Sequence, residues 1–534
     1  MRSLELGNSP NYSVLSAQRP RRSVPREVWW IFLVGTILRV TFFFLGENNG
    51  GDALARAAMT AEWLQHPGSW LHSEPWLPIH FWLMAGMSVM LGDPALGARA
   101  LSLLLGIASL GILWALAREV YGRSAATFSL LVFGLYSLHI GYSTTSSSEV
   151  PYLFFMLAGL LGFFIYRRSG SFSALGLGAA ALGISAGIRY EAWLCIFAVF
   201  LILLFMPSQD VGERFWRVGH FQEVFLFGAV AGIWPSFWMI YQWKTFAMPL
   251  YGVTMNYGWV AEQIAIENRS MLYRLALSPG VILFSLSLPI VAASFYGLAL
   301  GLRDRPGREF VLILLLMGAV FNYQIVTGGL LPLARYTITL GTFFAIASGH
   351  GLERIRRLLS QRRARQFWAA IGVLLVLNLG AILALSEVRN PFNDKFGAIS
   401  PRLRFPQRIE ELHQYLKRRL EPGDAVVIDD YNVESNIIAA AIGLPLLGDR
   451  AFLAASRPVS ELSEYMKRRH PRYLVYSDRG VLHTSLPLAE KCSESPTNLK
   501  GMKFRCLFEN DIYRVYDVNY GPPKDASDKH GPPD

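Results

Sequence analysis

Residues 171–206 read SFSALGLGAAALGISAGIRYEAWLCIFAVFLILLFM, 36 residues whose one charged interruption is Arg189-Tyr190-Glu191. As a single helix rising ~1.5 Å per residue, this stretch would be about 54 Å long, far more than a ~30 Å hydrocarbon core. It must therefore be two spans joined at the charged triplet, whose side chains then sit at a membrane surface.

Working outward, apolar runs long enough to span occur near residues 28–46, 95–117, 124–142, 150–166, 279–301, 309–326, 331–349 and 367–386, as well as 222–243 and the pair 171–188 and 191–206. The expectation is an α-helical polytopic membrane protein of about eleven transmembrane helices. With 52% hydrophobic and only 17% charged residues, the composition excludes an ordinary soluble protein. The formal charge of +11 does not point to nucleic acid, because the arginines cluster in short segments between apolar runs. That distribution is an orientation signal.

Arg2, Arg19, Arg21, Arg22 and Arg26 precede the first run, and no small-residue cleavage site follows it. Residues 1–27 are therefore expected to form a cytoplasmic tail. Counting from there, Arg118 and Arg123, Arg167 and Arg168, Arg214 and Arg217, Arg303, Arg305 and Arg308, and the block ERIRRLLSQRRAR (353–365) all fall on the cytoplasmic side. Segment 47–94, Glu149, the 189–191 triplet, the loop 244–278 and the turn before Arg335 fall on the other.

After the membrane domain at 28–386 the pattern changes. RIEELHQYLKRRLEPGD (408–424) reads as an amphipathic helix, AVVIDD (425–430) as a buried strand, VESNIIAAAIG (433–443) as a helix and RYLVYSD (472–478) as a strand. Alternation of this kind predicts an extracytoplasmic α/β domain over 387–520, with a disordered Pro/Gly-rich tail at 521–534. Cys492 and Cys506 can form a disulfide if that domain lies outside the cytoplasm; Cys195 sits inside an apolar run.

Candidate site residues collect on one side. Asp52, in ENNGGDALARAAMTAEWL (47–64), follows the first span and opens a helical pattern. The segment HSEPWLPIHFWLMAGMSVMLG (72–92) reads as a helix lying in the interface. Glu149 ends the polar stretch STTSSSE (143–149) just before Pro151 and an apolar run. A helix cap is the plain alternative for both carboxylates. Arg189 and Glu191 can be a simple ion pair and Tyr190 an interfacial anchor. Arg335, in TGGLLPLARYTITLGTFF (327–344), is expected about one helical turn inside a span, where it either snorkels or meets an anion such as phosphate. His72 and His80 near Glu74 lack metal-ligand spacing, and no Walker A or GxGxxG signature marks a nucleotide site.

Taken in order, GD with A-x-x-A-E-W-L, P-W-L-P-I-H-F-W-L, S-S-S-E-x-P, I-R-Y-E-A-W and L-A-R-Y over residues 28–350 resemble the polytopic glycosyltransferases of the GT-C superfamily. The nearest likeness is to relatives of the dolichyl-phosphate-mannose protein mannosyltransferases (glycosyltransferase 39-like). That resemblance implies a polyprenyl-phosphate sugar donor, possible mannose transfer with inversion from the outer leaflet of the cell membrane, and an acceptor that is protein, lipid or polysaccharide. It implies Asp52 as the base and Glu149 as a second acidic position; the cations on the same side, Arg335 with Arg189 as partner, then suit the donor phosphate, with Tyr190, Glu191, Tyr336 and His80 in support. No cofactor is expected, although a divalent metal is compatible with the chemistry. The rival expectation is a transporter or lipid flippase, whose intramembrane charges would also cluster.

Overall fold

A computed structural model describes residues 24–49, 51–65, 76–206, 218–267, 270–387 and 398–520, except 406, 430–434, 443, 445–449, 455–458, 479, 484, 487, 489–491, 493–495 and 500. The N-terminal tail up to 23, His72, Glu74, Arg214, Arg217 and the 521–534 tail lie outside these described residues.

Helices α1 (Arg26–Leu45), α2 (Gly51–Gln65), α3 (Pro78–Leu91), α4 (Pro94–Tyr121), α5 (Arg123–Gly134), α6 (Ser137–Tyr142), α7 (Glu149–Ser169), α8 (Phe172–Ala186), α9 (Glu191–Phe205) and α10 (Val218–Phe246) build the first part of a bundle. The bundle continues through α11 (Tyr251–Glu267), α12 (Met271–Leu286), α13 (Leu288–Gly301), α14 (Arg305–Thr327), α15 (Ile338–Arg357) and α16 (Gln361–Glu387). Among the described residues six helices are long and apolar enough to cross a membrane, or seven if the bent pair α12–α13 counts as one span. Large apolar side chains such as Leu33, Ile37, Leu104, Leu177, Phe197, Phe225 and Leu377 are exposed on these helices, as lipid-facing residues should be. The protein is multi-pass, and the 171–206 stretch breaks at 187–190 as its length required.

Three expected runs differ in detail. Run 124–142 divides into α5 and α6. Arg39, buried in α1, explains how the break survives in an apolar interior. Its guanidinium donates to the carbonyls of Gly134 at 3.2 Å and Phe133 at 3.4 Å, and contacts His139 Nδ1 at 2.8 Å, so carbonyls freed at the break are satisfied by protein. Run 279–301 bends by 109° at Ser287. Pro289 lacks the N–H that would bond Ser285, and Asn378 of α16 instead reaches the carbonyls of Phe284 and Ser285 at 3.2 and 3.4 Å. Run 331–349 starts as a 3₁₀ turn at Ala334–Thr337, so Arg335 precedes the helix instead of lying one turn inside it. Gly328, at φ 86°, ends α14, and Pro332 delays the restart.

The C-terminal unit holds a six-stranded sheet ordered β2-β1-β3-β6-β5-β4, with β1 Val426–Ile428, β2 Ala451–Leu453, β3 Tyr473–Ser477, β4 Thr497–Leu499, β5 Met502–Glu509 and β6 Tyr513–Tyr520. Strands β1, β2 and β3 pair in parallel and the rest antiparallel. Both faces of β1 are covered, because Val426 and Ile428 pack with Ile409, Leu412 and Ile438 while Val427 packs with Phe452 and Leu462. Leu54 of α2 joins the first of these clusters, which seats the interfacial helix against the α/β unit. Glu47 and Asn49 add bonds to the leading segment: Glu47 N–H to Leu403 O at 2.8 Å, and Asn49 Nδ2 to Arg404 O. Cys492 and Cys506 are disulfide-bonded.

Helices α7 and α8, which carry Glu149 and lead to Arg189, meet backbone to backbone. A Cβ on Gly162 would stand 2.6 Å from Gly178 Cα and 2.7 Å from Ala174 O. Small residues make this approach possible where lipid supplies no hydrophobic drive. Gly162→Leu is therefore expected to destabilise by about 1–3 kcal/mol or more, read as a lower melting temperature of detergent-purified protein. Gly176→Leu is the control, since nothing lies within 4 Å of a Cβ there; equal melting of the two variants would contradict the close contact.

Candidate active site

Four sequence-distant segments meet at one end of the bundle. Arg335, on the 3₁₀ turn, donates from Nη2 to Asp52 Oδ2 on α2, and its Nε lies 3.6 Å from Glu149 Oε1 at the start of α7. Arg189 reaches the same Glu149 oxygen from the other side at 2.8 Å, bonds Glu191 at 2.5 and 3.0 Å, and donates to Ser148 Oγ at 3.0 Å. Tyr336 lies between the two cations, with the Arg335 and Arg189 guanidinium carbons 5.3 and 5.4 Å from its ring centroid. Tyr190 accepts from Trp238 Nε1 at 3.0 Å. His80 is on α3, whose Ile79 N–H bonds the Gly187 carbonyl at 3.0 Å, two residues before Arg189.

Alternating topology assigns these residues to one side, and the geometry brings them to a common center. Glu149 is more than a helix cap, since its side chain is 3% exposed and faces two guanidiniums. Asp52 keeps 27% of its side-chain surface and Arg335 17%, so this pair is more open than the sealed Glu149. Burial alone would raise the Asp52 pKa, but the Arg335 and Arg56 charges outweigh it and hold the carboxyl below its usual range. The STTSSSE stretch is buried throughout and its hydroxyls do structural duty. Ser146 Oγ bonds the Ala53 carbonyl at 2.9 Å and Asn48 at 2.8 Å, tying Asp52's helix to the loop that ends at Glu149. Arg99 of α4 locks the same corner by donating to Thr144 O at 2.8 Å and Phe43 O at 2.6 Å.

Arg56 was not among the expected residues. It is 7% exposed, lies over the Trp76 ring at 4.7 Å, and has its pKa pushed down to about 10 by burial, against the raising influence of Asp52. The signal was an arginine four residues after Asp52 on an otherwise apolar helix face, the spacing at which helical side chains are neighbours. Among the described residues no group of three or more His, Cys, Asp or Glu is placed to hold a metal ion.

Residues 66–235 match the family model of the dolichyl-phosphate-mannose-protein mannosyltransferases. The fold is similar to the crystal structure of ArnT from Cupriavidus metallidurans in the apo state, with TM-score 0.58 and 14% identity over 93% of this chain and 100% of that one. The chain thus has the fold of that ArnT structure. The structure of the same ArnT bound to undecaprenyl phosphate matches at TM-score 0.58 and 14% identity, covering 93% and 99% of the two chains. Archaeal oligosaccharyltransferase AglB from Archaeoglobus fulgidus aligns at TM-score 0.45 and 12% identity, over 85% of this chain and 69% of that one. No curated protein matches in sequence. The α/β unit, which the sequence resemblance left out, falls within the ArnT alignment, which spans 93% of the chain.

Arg189 and Arg335 differ in what they hold up. Arg189 joins α7 to the α8–α9 turn through the buried Glu149 and the half-buried Glu191, whereas Arg335 joins the more open Asp52 to a carboxylate that Arg189 already neutralises. Arg189→Ala is expected to cost about 3–5 kcal/mol, as loss of a buried ion-pair partner does, and Arg335→Ala clearly less. Thermal melting of the purified variants checks this; equal losses would contradict the division of labour.

Proposed function

We propose that this protein is a GT-C glycosyltransferase that moves a sugar from a polyprenyl-phosphate donor to an extracytoplasmic acceptor with inversion at the anomeric carbon. The observation that carries the reading is Arg335 held between Asp52 and Glu149 at one end of the bundle. It supplies a cation for a lipid phosphate and, beside it, a carboxylate for an acceptor hydroxyl. The ArnT structure with undecaprenyl phosphate supports the donor class, and the family model supports mannose as the sugar.

Arg335 pairs with Asp52 and neutralises it, and a carboxylate so paired is a weak base. A donor phosphate competes for that guanidinium, so its arrival frees Asp52 as it places the anomeric carbon. The acceptor oxygen then attacks that carbon, the bond from carbon to phosphate oxygen breaks, and Asp52 takes the acceptor proton. The departing polyprenyl phosphate gains one negative charge, which Arg335 and Arg189 stabilise. Glu149, locked by two arginines, orients them and does not take the proton. A phosphodiester donor brings less charge than a diphosphate, and we read the transfer as metal-independent; a chelator should leave the rate unchanged.

The same reading puts the N-terminus in the cytoplasm and the α/β unit outside. The disulfide fits an oxidising compartment. Basic clusters such as Arg167 and Arg305 on Glu309 belong to helix ends on the other side. Reporters fused near Asp304 and Ala454 should read cytoplasmic and extracytoplasmic; a cytoplasmic signal at 454 would detach the unit from the proposed site.

Purified protein given radiolabelled polyprenyl-phosphate sugars, mannose first, should transfer or hydrolyse one of them. Asp52→Asn should then lose about 10²-fold or more in turnover with melting near wild type, because it keeps size and polarity while losing the base. Glu149→Gln should retain measurable turnover, and Arg335→Lys should recover only part of what Arg335→Ala loses. An active Asp52→Asn beside a dead Glu149→Gln would reverse the two roles; activity in both would remove the two carboxylates from the base role, and wild type that uses none of the donors would remove the glycosyltransferase reading.

A further inference from the structure

Next to the Asp52–Arg335–Glu149 network lie polar atoms that nothing described above satisfies. His80 is fully buried on α3, and neither Nδ1 nor Nε2 has a hydrogen-bond partner among the described residues. Arg56, also buried, has no partner for Nη1. Such atoms are uncommon in a folded interior, and a ligand that is absent is one physical reason for them. Both belong to the same corner. Arg56 stands one helical turn beyond Asp52, Ala57 of α2 packs against Phe81 and Met84 of α3, and His80 feels the charges of Arg56 and Arg189.

We infer that Arg56 and His80 form the sugar subsite of the donor pocket, binding hydroxyl groups of the hexose whose anomeric carbon meets Asp52. The inference rests on the proposed transferase reading. It follows from what each group can accept. A neutral imidazole offers one N–H and one bare nitrogen, which match a hydroxyl that both donates and accepts. A phosphate, which only accepts when ionised, would leave the bare nitrogen facing an anion. Arg56 adds donors for a second hydroxyl, and its own contact with Trp76 holds the guanidinium plane in place. The phosphate is already provided for by Arg335 and Arg189, so the free atoms fall to the sugar. A pyranose ring set with C1 at Asp52 extends about one helical turn, which is the separation of Asp52 from Arg56.

The subsite should show itself as discrimination between donors. Full-length protein in detergent is given a polyprenyl-phosphate hexose that it uses, and that donor's single-deoxy analogues, with kcat/KM measured for wild type, His80→Phe, His80→Gln and Arg56→Lys. Wild type should reject at least one deoxy donor by about tenfold or more, as sites built to bond a hydroxyl do. In His80→Phe that penalty should collapse, the parent donor should lose most of its advantage, and melting should stay at or above wild type because an unsatisfied polar group has been removed. His80→Gln, which keeps a donor and an acceptor, should recover part of the discrimination, and Arg56→Lys should weaken the penalty at a different hydroxyl. Equal loss for every donor in His80→Phe with a lowered melting temperature would mean a structural histidine and overturn the inference. So would unchanged deoxy penalties in the variants. Wild type that uses no lipid-phosphate hexose at all would instead overturn the transferase reading on which the subsite stands.

Discussion

Three arginines and three carboxylates share one end of this bundle, and their neutrality is the constraint on which the rest of the architecture depends. An isolated charge so far from water would cost several kcal/mol, so each has to be brought within reach of an opposite charge. Arg335 can meet Asp52 and Glu149 only if α2, the start of α7 and the 3₁₀ turn before α15 converge. Arg189 can meet Glu149 only if α8 stops short and turns back into α9. The close glycine contact of α7 with α8, the buried STTSSSE loop and the Arg99 lock are the means by which backbone is held in that arrangement.

The network is not uniform, and on the proposed reading the gradient across it is what would let it bind a ligand. Glu149 is sealed and doubly paired, while Asp52 and Arg335 stay partly open. On the proposed reading an incoming phosphate would exchange with the open pair and feel Arg189 only at longer range, since Glu149 would keep Arg189 as its counter-ion. Ligand exchange at Arg335 therefore leaves the fold's own charge balance intact. A site in which every carboxylate were sealed would be more stable and would bind nothing.

Much of this was legible because membrane constraints are severe. A 36-residue apolar run cannot be one span, so the turn at Arg189 had to exist. The same reasoning set Asp52, Glu149 and Arg335 on one side, because topology alternates. What sidedness could not supply was contact. Nothing in the local pattern says that Glu149 is shared by Arg189 and Arg335, or that Arg56 lies buried beside them, since these are long-range meetings of segments up to 283 residues apart. The breaks within runs 124–142 and 279–301 were hidden for a related reason. Hydropathy records how apolar a run is, whereas a break depends on whether a remote side chain, Arg39 or Asn378, can bond the carbonyls it frees.

The α/β unit was readable as an alternation of helix and strand, but its bearing on the site was not. Leu54 looked like one more apolar residue of an interfacial helix; it is buried in the core of that unit, two positions after Asp52. Because successive residues of a helix point about 100° apart, a helix anchored through Leu54 on one face has its rotation fixed, and with it the direction of Asp52. Glu47 and Asn49 fix its entry by bonding the 403–405 segment. An interfacial helix resting on lipid alone could roll, and a roll of a few tens of degrees would part Asp52 from Arg335. The C-terminal unit thus acts on the site without touching the network itself, by deciding which way one carboxylate faces.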